Sequence, residues 1–481
     1  MAAGLQPEGF EVRRGDPGWR RACLGLALCG CLVSASAVAE EPNPVLEITP
    51  GAASAFRAAV QLFAQPRPAA AAETPSADPA TPLRAAPDPQ TVQVLREAIE
   101  AGLGFSSVVL PLARDAFLAP GTTESIRGGP RAECPAWRQS GADAWVEGEI
   151  RARAGLVTVA FQVWDSARCL RLLGESVDGS PLDLQRLGQR IADRVVASLT
   201  GTPGVSATEI AFVSTRRGPP EIFVMDADGE RQRSATRSGS LKSFPAWLPR
   251  GGALLYTAFQ KNGVPALFLT SRGGVRPGPF LRRVLKGRPK YRGVFSPAGD
   301  RVAVVSSLDG EAEIFLVDPD GSDLARFTNS RSIEVSPSWS PDATRIAFVS
   351  DRSGSPQIYV ADTNGANLHR ITFQGGYNTS PAWSPDGRWI AYETRVGGQI
   401  DIWMVDPTGE VNVPLVAHPR NDENPTWSPD GRKLAFSSNR RGRADIYRVD
   451  LDGRGLVRIT SNAGENTQPA WSPFPRVEPS R

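Results

Sequence analysis

Histidine is nearly missing from this chain, with 2 in 481 residues, and that scarcity removes the side chain on which most acid–base and metal chemistry relies. His369 falls in an expected outer strand and His418 precedes a proline in a loop, neither beside a recognisable nucleophile, and no Gly-x-Ser-x-Gly elbow occurs anywhere. Cysteine is sparse too, with five. Three of the five (Cys23, Cys29, Cys31) sit near the N-terminus, and Cys134 and Cys169 form no metal-type pair. Charge of either sign is not in excess, 54 Lys and Arg against 51 Asp and Glu, which argues against a nucleic-acid binder. Beyond residue 38 no run is long and apolar enough to span a bilayer.

What is present begins with an export pattern. Arg20 and Arg21 precede an apolar run from Ala22 to Val38 that ends in Ala37-Val38-Ala39 before Glu40, so residues 1–39 read as a signal peptide cleaved after Ala39. The same segment admits three other readings: a retained anchor, a twin-arginine signal, and a lipobox, Leu28-Cys29-Gly30-Cys31, that leaves Cys31 acylated. After cleavage at Ala39, Cys134 and Cys169 remain, in an oxidising compartment, as either a disulfide or two buried thiols.

The second half is built on a repeat. An aromatic followed by a proline turn recurs at Trp247-Leu-Pro, Phe295-Ser-Pro, Trp339-Ser-Pro, Trp383-Ser-Pro, Trp427-Ser-Pro and Trp471-Ser-Pro, spaced 48, 44, 44, 44 and 44 residues apart. A β-branched or aromatic run follows each turn (Val302-Ala-Val-Val, Ile346-Ala-Phe-Val, Leu434-Ala-Phe-Ser), and a second follows about ten residues later (Ile314-Phe-Leu, Ile358-Tyr-Val, Ile446-Tyr-Arg). In Ser384-Pro385-Asp386-Gly387 the proline presets φ, the aspartate bonds nearby amides and the glycine takes positive φ; Asp362-Thr-Asn-Gly365 and Asp450-Leu-Asp-Gly453 close the next hairpin in the same way. Each repeat is thus a four-stranded antiparallel meander, and six of them make a six-bladed β-propeller. The turn aspartates have calcium binding as their alternative. The array opens with a run lacking an anchor, at Ile210, and closes with an anchor lacking a run, Trp471, so the strand around Pro469–Ser472 is expected to be innermost in the blade of residues 209–236.

The expected organisation is a multidomain chain, with a small α/β domain (91–203) ahead of the propeller (204–475) and a C-terminal tail (476–481). Residues 40–63 form an N-terminal segment, and the Pro- and Ala-rich stretch 64–90 is a linker too poor in large apolar residues to pack. Thr91–Ala101 and Leu182–Leu199 read as helices, and Ala144–Glu149 and Leu156–Trp164 as paired strands.

Together the export signal, the α/β domain ending in Leu199-Thr200-Gly201, the hairpin Ala142–Gly148 with Phe161–Asp165, and the Trp-Ser-Pro-Asp-Gly repeats resemble the TolB family. The resemblance covers nearly all of the chain after residue 39. It departs at the proline-rich stretch, at Trp247-Leu-Pro-Arg-Gly and at Phe295-Ser-Pro-Ala-Gly. It implies a periplasmic, non-enzymatic scaffold of the Tol-Pal system, active in envelope integrity and cell division, monomeric, and associated with the outer membrane only through its partners. Those implied partners are the peptidoglycan-associated lipoprotein Pal at the propeller and TolA at the N-terminal segment, here Leu46, Glu47, Ile48 and Thr49.

The loops preceding the innermost strands cluster around the channel of a propeller, so the partner face is expected at Lys242, Ser243, Tyr291, Arg292, Glu334, Asn378, Thr379, Glu423, Asn424, Asn466 and Thr467. Residues 272–292 are basic without any Asp or Glu, a run that either steers an acidic partner or protects a strand edge. No cofactor or metal ligand set is apparent. The competing function is a lyase or hydrolase with channel carboxylates such as Glu334 and Glu423; a TolB-like paralogue with another partner is the third reading.

Overall fold

The computed structural model describes residues 55–63, 88–117 and 130–475, apart from 154, 261, 272–277, 282–283, 286, 309 and 462–463. The first part is a five-stranded sheet, β1 (Phe56–Phe63), β2 (Val109–Pro111), β3 (Ala144–Arg153), β4 (Leu156–Asp165) and β5 (Leu170–Gly179), in the order β2-β1-β3-β4-β5. Among the described residues three α-helices accompany it: α1 (Pro89–Phe105), α2 (Pro130–Gln139) and α3 (Leu184–Thr200). Asp88 starts α1 by accepting from the amide and hydroxyl of Thr91, and Gly201, at φ 78°, ends α3 in the left-handed region.

Two expected boundaries are corrected here. Residues 56–63 belong to the α/β domain, not to a separate N-terminal segment: β1 lies parallel between β2 and β3, and Ala58, Val60 and Leu62 face the helix-side core. The alternation of Phe-Arg-Ala-Ala-Val-Gln-Leu-Phe carries this. The proline-rich stretch also ends earlier than residue 90, because Asp88 caps α1 and Pro89 occupies its first turn, where a missing N–H costs nothing. Residues 64–87 and Leu46, Glu47, Ile48 and Thr49 lie outside the described residues.

Helices α1 and α3 pack Leu95, Ile99, Leu103, Leu187, Ile191 and Val195 onto one face of the sheet. They cross closely because Gly188 has no side chain; a Cβ there would stand 2.4 Å from that of Ala98. On the opposite face the indoles of Trp137, Trp145 and Trp164 stack at 6.3 and 5.7 Å between centroids. Cys134 of α2 and Cys169, just before β5, are joined beside this stack, Cα atoms 5.8 Å apart.

The rest of the described chain is six four-stranded sheets. Blade 1 comprises Glu209–Ser214, Glu221–Asp226 and Arg233–Ser234, with Asn466–Trp471 as its innermost strand; blades 2 to 6 follow in chain order, starting at Lys242, Tyr291, Glu334, Asn378 and Asp422. Trp471 pairs with Ile210 and Asn466 with Ser214, so the last strand seals the ring as the anchor count predicts. Three of the anchors also reach sideways: Trp247 Nε1 donates to Ala470 O, Trp339 Nε1 to Val294 O and Trp427 Nε1 to Ala382 O, each in the preceding blade. The turn aspartates are engaged locally. Asp386 accepts from Ser384 Oγ, Arg388 N and Arg388 Nε, and these bonds hold its carboxyl below the usual range despite partial burial.

The α/β domain rests on the hairpin-turn face of blades 6 and 1. Phe105 at the end of α1 lies between Lys433 Nζ (5.4 Å) and the Arg448 guanidinium (4.0 Å), and Lys433 also bonds Asp450 and Ser107. From α3, Arg186 pairs with Glu209 and Gln189 Nε2 donates to Asp228, while Arg231 pairs with Asp183.

Replacing Cys134 and Cys169 by serine should cost the α/β domain about 2–4 kcal/mol, the usual effect of losing a native crosslink. Urea unfolding should then show an earlier transition for that domain's tryptophan signal, with the propeller transition unmoved.

Candidate functional site

Five inner strands share the pattern bulge-Pro-x-aromatic, in Phe244-Pro-Ala-Trp247, Ser336-Pro-Ser-Trp339, Ser380-Pro-Ala-Trp383, Asn424-Pro-Thr-Trp427 and Gln468-Pro-Ala-Trp471, and the sixth reads Arg292-Gly-Val-Phe295. The bulge residues all have positive φ: 52° at Phe244, 37° at Arg292, 58° at Ser336, 52° at Ser380, 56° at Asn424 and 52° at Gln468. The strand pairing slips at each of them. Gly293 stands where the others have proline, and a Cβ there would meet Leu255 Cδ2 at 2.7 Å. This ring frames a cavity of about 400 Å³ that runs toward the Trp-Ser-Pro turns. Among the described residues lining it Arg292 alone is charged, its Nη1 donating to Ser336 Oγ and its guanidinium 5.4 Å from the Phe244 ring.

The structure divides the expected partner-face residues. Arg292 and Asn424 reach the channel, and Tyr291, Thr379, Glu423 and Thr467 are half-buried beside it. Lys242, Ser243, Glu334, Asn378 and Asn466 do not form a face at all: they are 2, 8, 0, 0 and 0% exposed. The physical reason is positional. The first residue of an inner strand lies against the previous blade, and it is polar because it must bond across that joint. Lys242 Nζ pairs with Glu221 at 2.9 Å, Asn378 Nδ2 donates to Gln357 Oε1 at 2.7 Å, and Asn466 joins Asp445 to Ser214. Glu334 accepts from Ser330 Oγ, Ser350 Oγ and Arg352, so one of the two carboxylates named for the enzyme reading is an internal brace.

The residues truly exposed on this face sit a few positions earlier, in the loops from outer to next inner strand: Arg237, Leu241, Phe373, Arg420 and Glu465. Phe373, 66% exposed with Arg370 5.0 Å from its ring, was not anticipated. The signal available was its place directly after Ile371-Thr372, the pair that ends a blade. Of the basic run, Arg288 is exposed and Lys290 is buried with its ammonium on the carbonyls of Leu285 and Arg288, which lowers its pKa through desolvation. Arg272, Arg276, Arg282, Arg283 and Lys286 lie outside the described residues.

No group of three His, Cys, Asp or Glu able to hold a metal occurs among the described residues. His369 bonds the carbonyls of Asn367 and Pro407, and His418 Nδ1 accepts from Arg420 N.

An α/β domain docked on one end of a closed six-bladed propeller, with the opposite end left to loops and a narrow channel, defines a two-domain propeller protein with a loop-built face. The family profile described as TolB beta propeller domain matches residues 196–475. The chain belongs to the TolB family. Curated relatives include the "Tol-Pal system protein TolB" of Desulfosudis oleivorans, 36% identical over 198 residues (41% of this chain, 44% of the relative), and that of Anaeromyxobacter dehalogenans, 32% identical over 203 residues (42% and 46%). The chain thus spans about half the length of the curated relatives it matches. The crystal structure of TolB from Acinetobacter baumannii superposes with a TM-score of 0.69 at 24% identity, covering 88% of this chain and 97% of that one, a likeness of fold.

Substitutions should separate brace from face. Lys242→Ala, which strands Glu221 without its cation, should lower unfolding free energy by about 3–5 kcal/mol, and Asn378→Ala by about 1–3 kcal/mol. Phe373→Ser should stay within about 0.5 kcal/mol; chemical denaturation of the three variants reads the difference.

Proposed function

We propose that this protein is a periplasmic, non-enzymatic scaffold of a Tol-Pal type envelope system, tying a peptidoglycan-associated lipoprotein to an inner-membrane complex in the service of envelope integrity and division. The observation that carries the reading is the division of the propeller's two ends. The α/β domain occupies the turn face of blades 6 and 1, and the other end offers half-buried polar side chains (Tyr291, Arg292, Thr379, Asn424, Thr467) within a rim of Arg237, Leu241, Phe373 and Arg420. A polar, aromatic and arginine-bearing surface around a shallow depression suits a protein partner. The names of the curated relatives point to the same system.

On this reading Pal docks on the loop face and TolA engages the N-terminal segment, including Leu46–Thr49. The protein reaches the outer membrane through Pal alone and acts as a monomer without cofactor.

Calorimetric titration with the soluble domain of the cognate Pal should give binding that Phe373→Ser and Arg420→Glu weaken at least tenfold, about 1.4 kcal/mol, and that deletion of residues 40–55 leaves intact. The TolA domain should respond in the reverse way. Absence of binding to both partners by the intact chain overturns the proposal.

A further inference from the structure

The six joints between blades are not electrically alike. Joint 1/2 sets Lys242 against Glu221, joint 4/5 sets the amides of Asn378 and Gln357 together, and joint 6/1 sets Asn466 against Asp445. At joint 2/3, Lys290 lies on carbonyl groups. At joint 3/4, Ser330 donates its amide to Glu313 and its hydroxyl to Glu334, with Arg352 alongside.

Joint 5/6 breaks the pattern twice, through departures from the repeat. Thr236, Thr372 and Thr460 donate to Glu221, Gln357 and Asp445, whereas blade 5 has Val416 at that position, so Asp401 lacks this donor while it faces Asp422. Glu393 stands where the other blades have Val213, Thr257, Val305, Val349 and Ser437, and it meets Glu423, whose counterparts are Ser243, Tyr291, Val335, Thr379 and Thr467. Glu393 is itself a strap across the joint. Its Oε1 accepts from the amide (2.7 Å) and Nδ2 (2.9 Å) of Asn424, the bulge residue of blade 6 at the channel. The cations facing this group are Arg440, paired with Asp422 at 2.9 Å, Arg395, held against Tyr377 and facing Glu423, and His418, which faces Asp422 and whose amide donates to Asp401.

We propose that joint 5/6 is a proton-dependent seam of the propeller: protons held on Asp401, Asp422 and Glu423 close it, and their release loosens it at the channel wall around Asn424.

Desolvation pushes Asp401 up to about 6, with the Asp422 charge adding to it, and raises Asp422 as well. Desolvation followed by the Glu393 charge raises Glu423. The folded protein therefore holds protons at this seam that an opened seam would release. The stabilisation is complete below the ordinary carboxylate range, and it is lost as pH rises through about 6 for Asp401 and through the raised ranges of Asp422 and Glu423.

Amide hydrogen exchange of the full chain at pH 5.5 and 7.5, corrected for intrinsic rates, tests this. Protection across 412–427 should fall by about tenfold or more relative to 457–471 at joint 6/1, tenfold being one pKa unit of differential protonation. Asp401→Asn combined with Glu423→Gln should abolish the difference. Equal change at the two joints, or a difference that survives in the double variant, overturns the proposal; should that variant fail to fold, the comparison of the two joints in the native chain decides alone.

Discussion

The propeller depends on one pairing, that of the strand Asn466–Trp471 with the strand Glu209–Ser214. These segments are more than 250 residues apart, and bringing them together carries a chain-entropy cost that only a dense set of contacts offsets. The contacts are dense. Asn466 bonds Ser214 and Asp445, Glu209 N donates to Ser472 Oγ, Trp471 Nε1 donates to Thr208 Oγ1, and Trp471 packs with Ile210, Phe212 and Ile459. Without this pairing blade 1 would lack its inner strand and blade 6 would expose a flank.

The position of the α/β domain follows from the same constraint. Its α1 end grips Lys433, Arg448 and Asp450 of blade 6, and its α3 grips Glu209 and Asp228 of blade 1, so it bridges blade 6 and the blade in which the first and last strands of the propeller meet. Asp193 of α3 fastens the connecting segment by accepting from Ser206 N, Ser206 Oγ and Ala207 N. The pairing that closes the ring is thereby held from the hairpin-turn side, opposite the loop-built face. Joint 5/6, next to it, carries like charges in place of such reinforcement.

Legibility in the sequence was uneven, for physical reasons. The aromatic-Pro turns and the β-branched runs report directly on backbone geometry, so blade number, meander order and the partnership of Trp471 with Ile210 could be read from spacing alone. Burial of polar side chains could not. Lys242, Glu334, Asn378 and Asn466 have the composition of a solvated loop, and only the packing of one blade against the next turns them into buried braces. The place of β1 inside the sheet between β2 and β3 was not legible because a proline- and alanine-rich stretch separates it from α1. Phe373 was not legible because the repeat pattern marks the start of each inner strand, where side chains turn inward, and not the preceding loop that carries it.

The central claim is that the last strand completes the first blade, and a crosslink between the two tests it most directly. Val213 and Thr467 are register partners across this pairing, at a separation a disulfide spans. In the Val213→Cys, Thr467→Cys chain the account predicts a bond that forms without added catalyst, shifts mobility on a non-reducing gel and raises the temperature of propeller unfolding. Two free thiols in the folded protein, with unfolding unchanged under oxidising conditions, would contradict it.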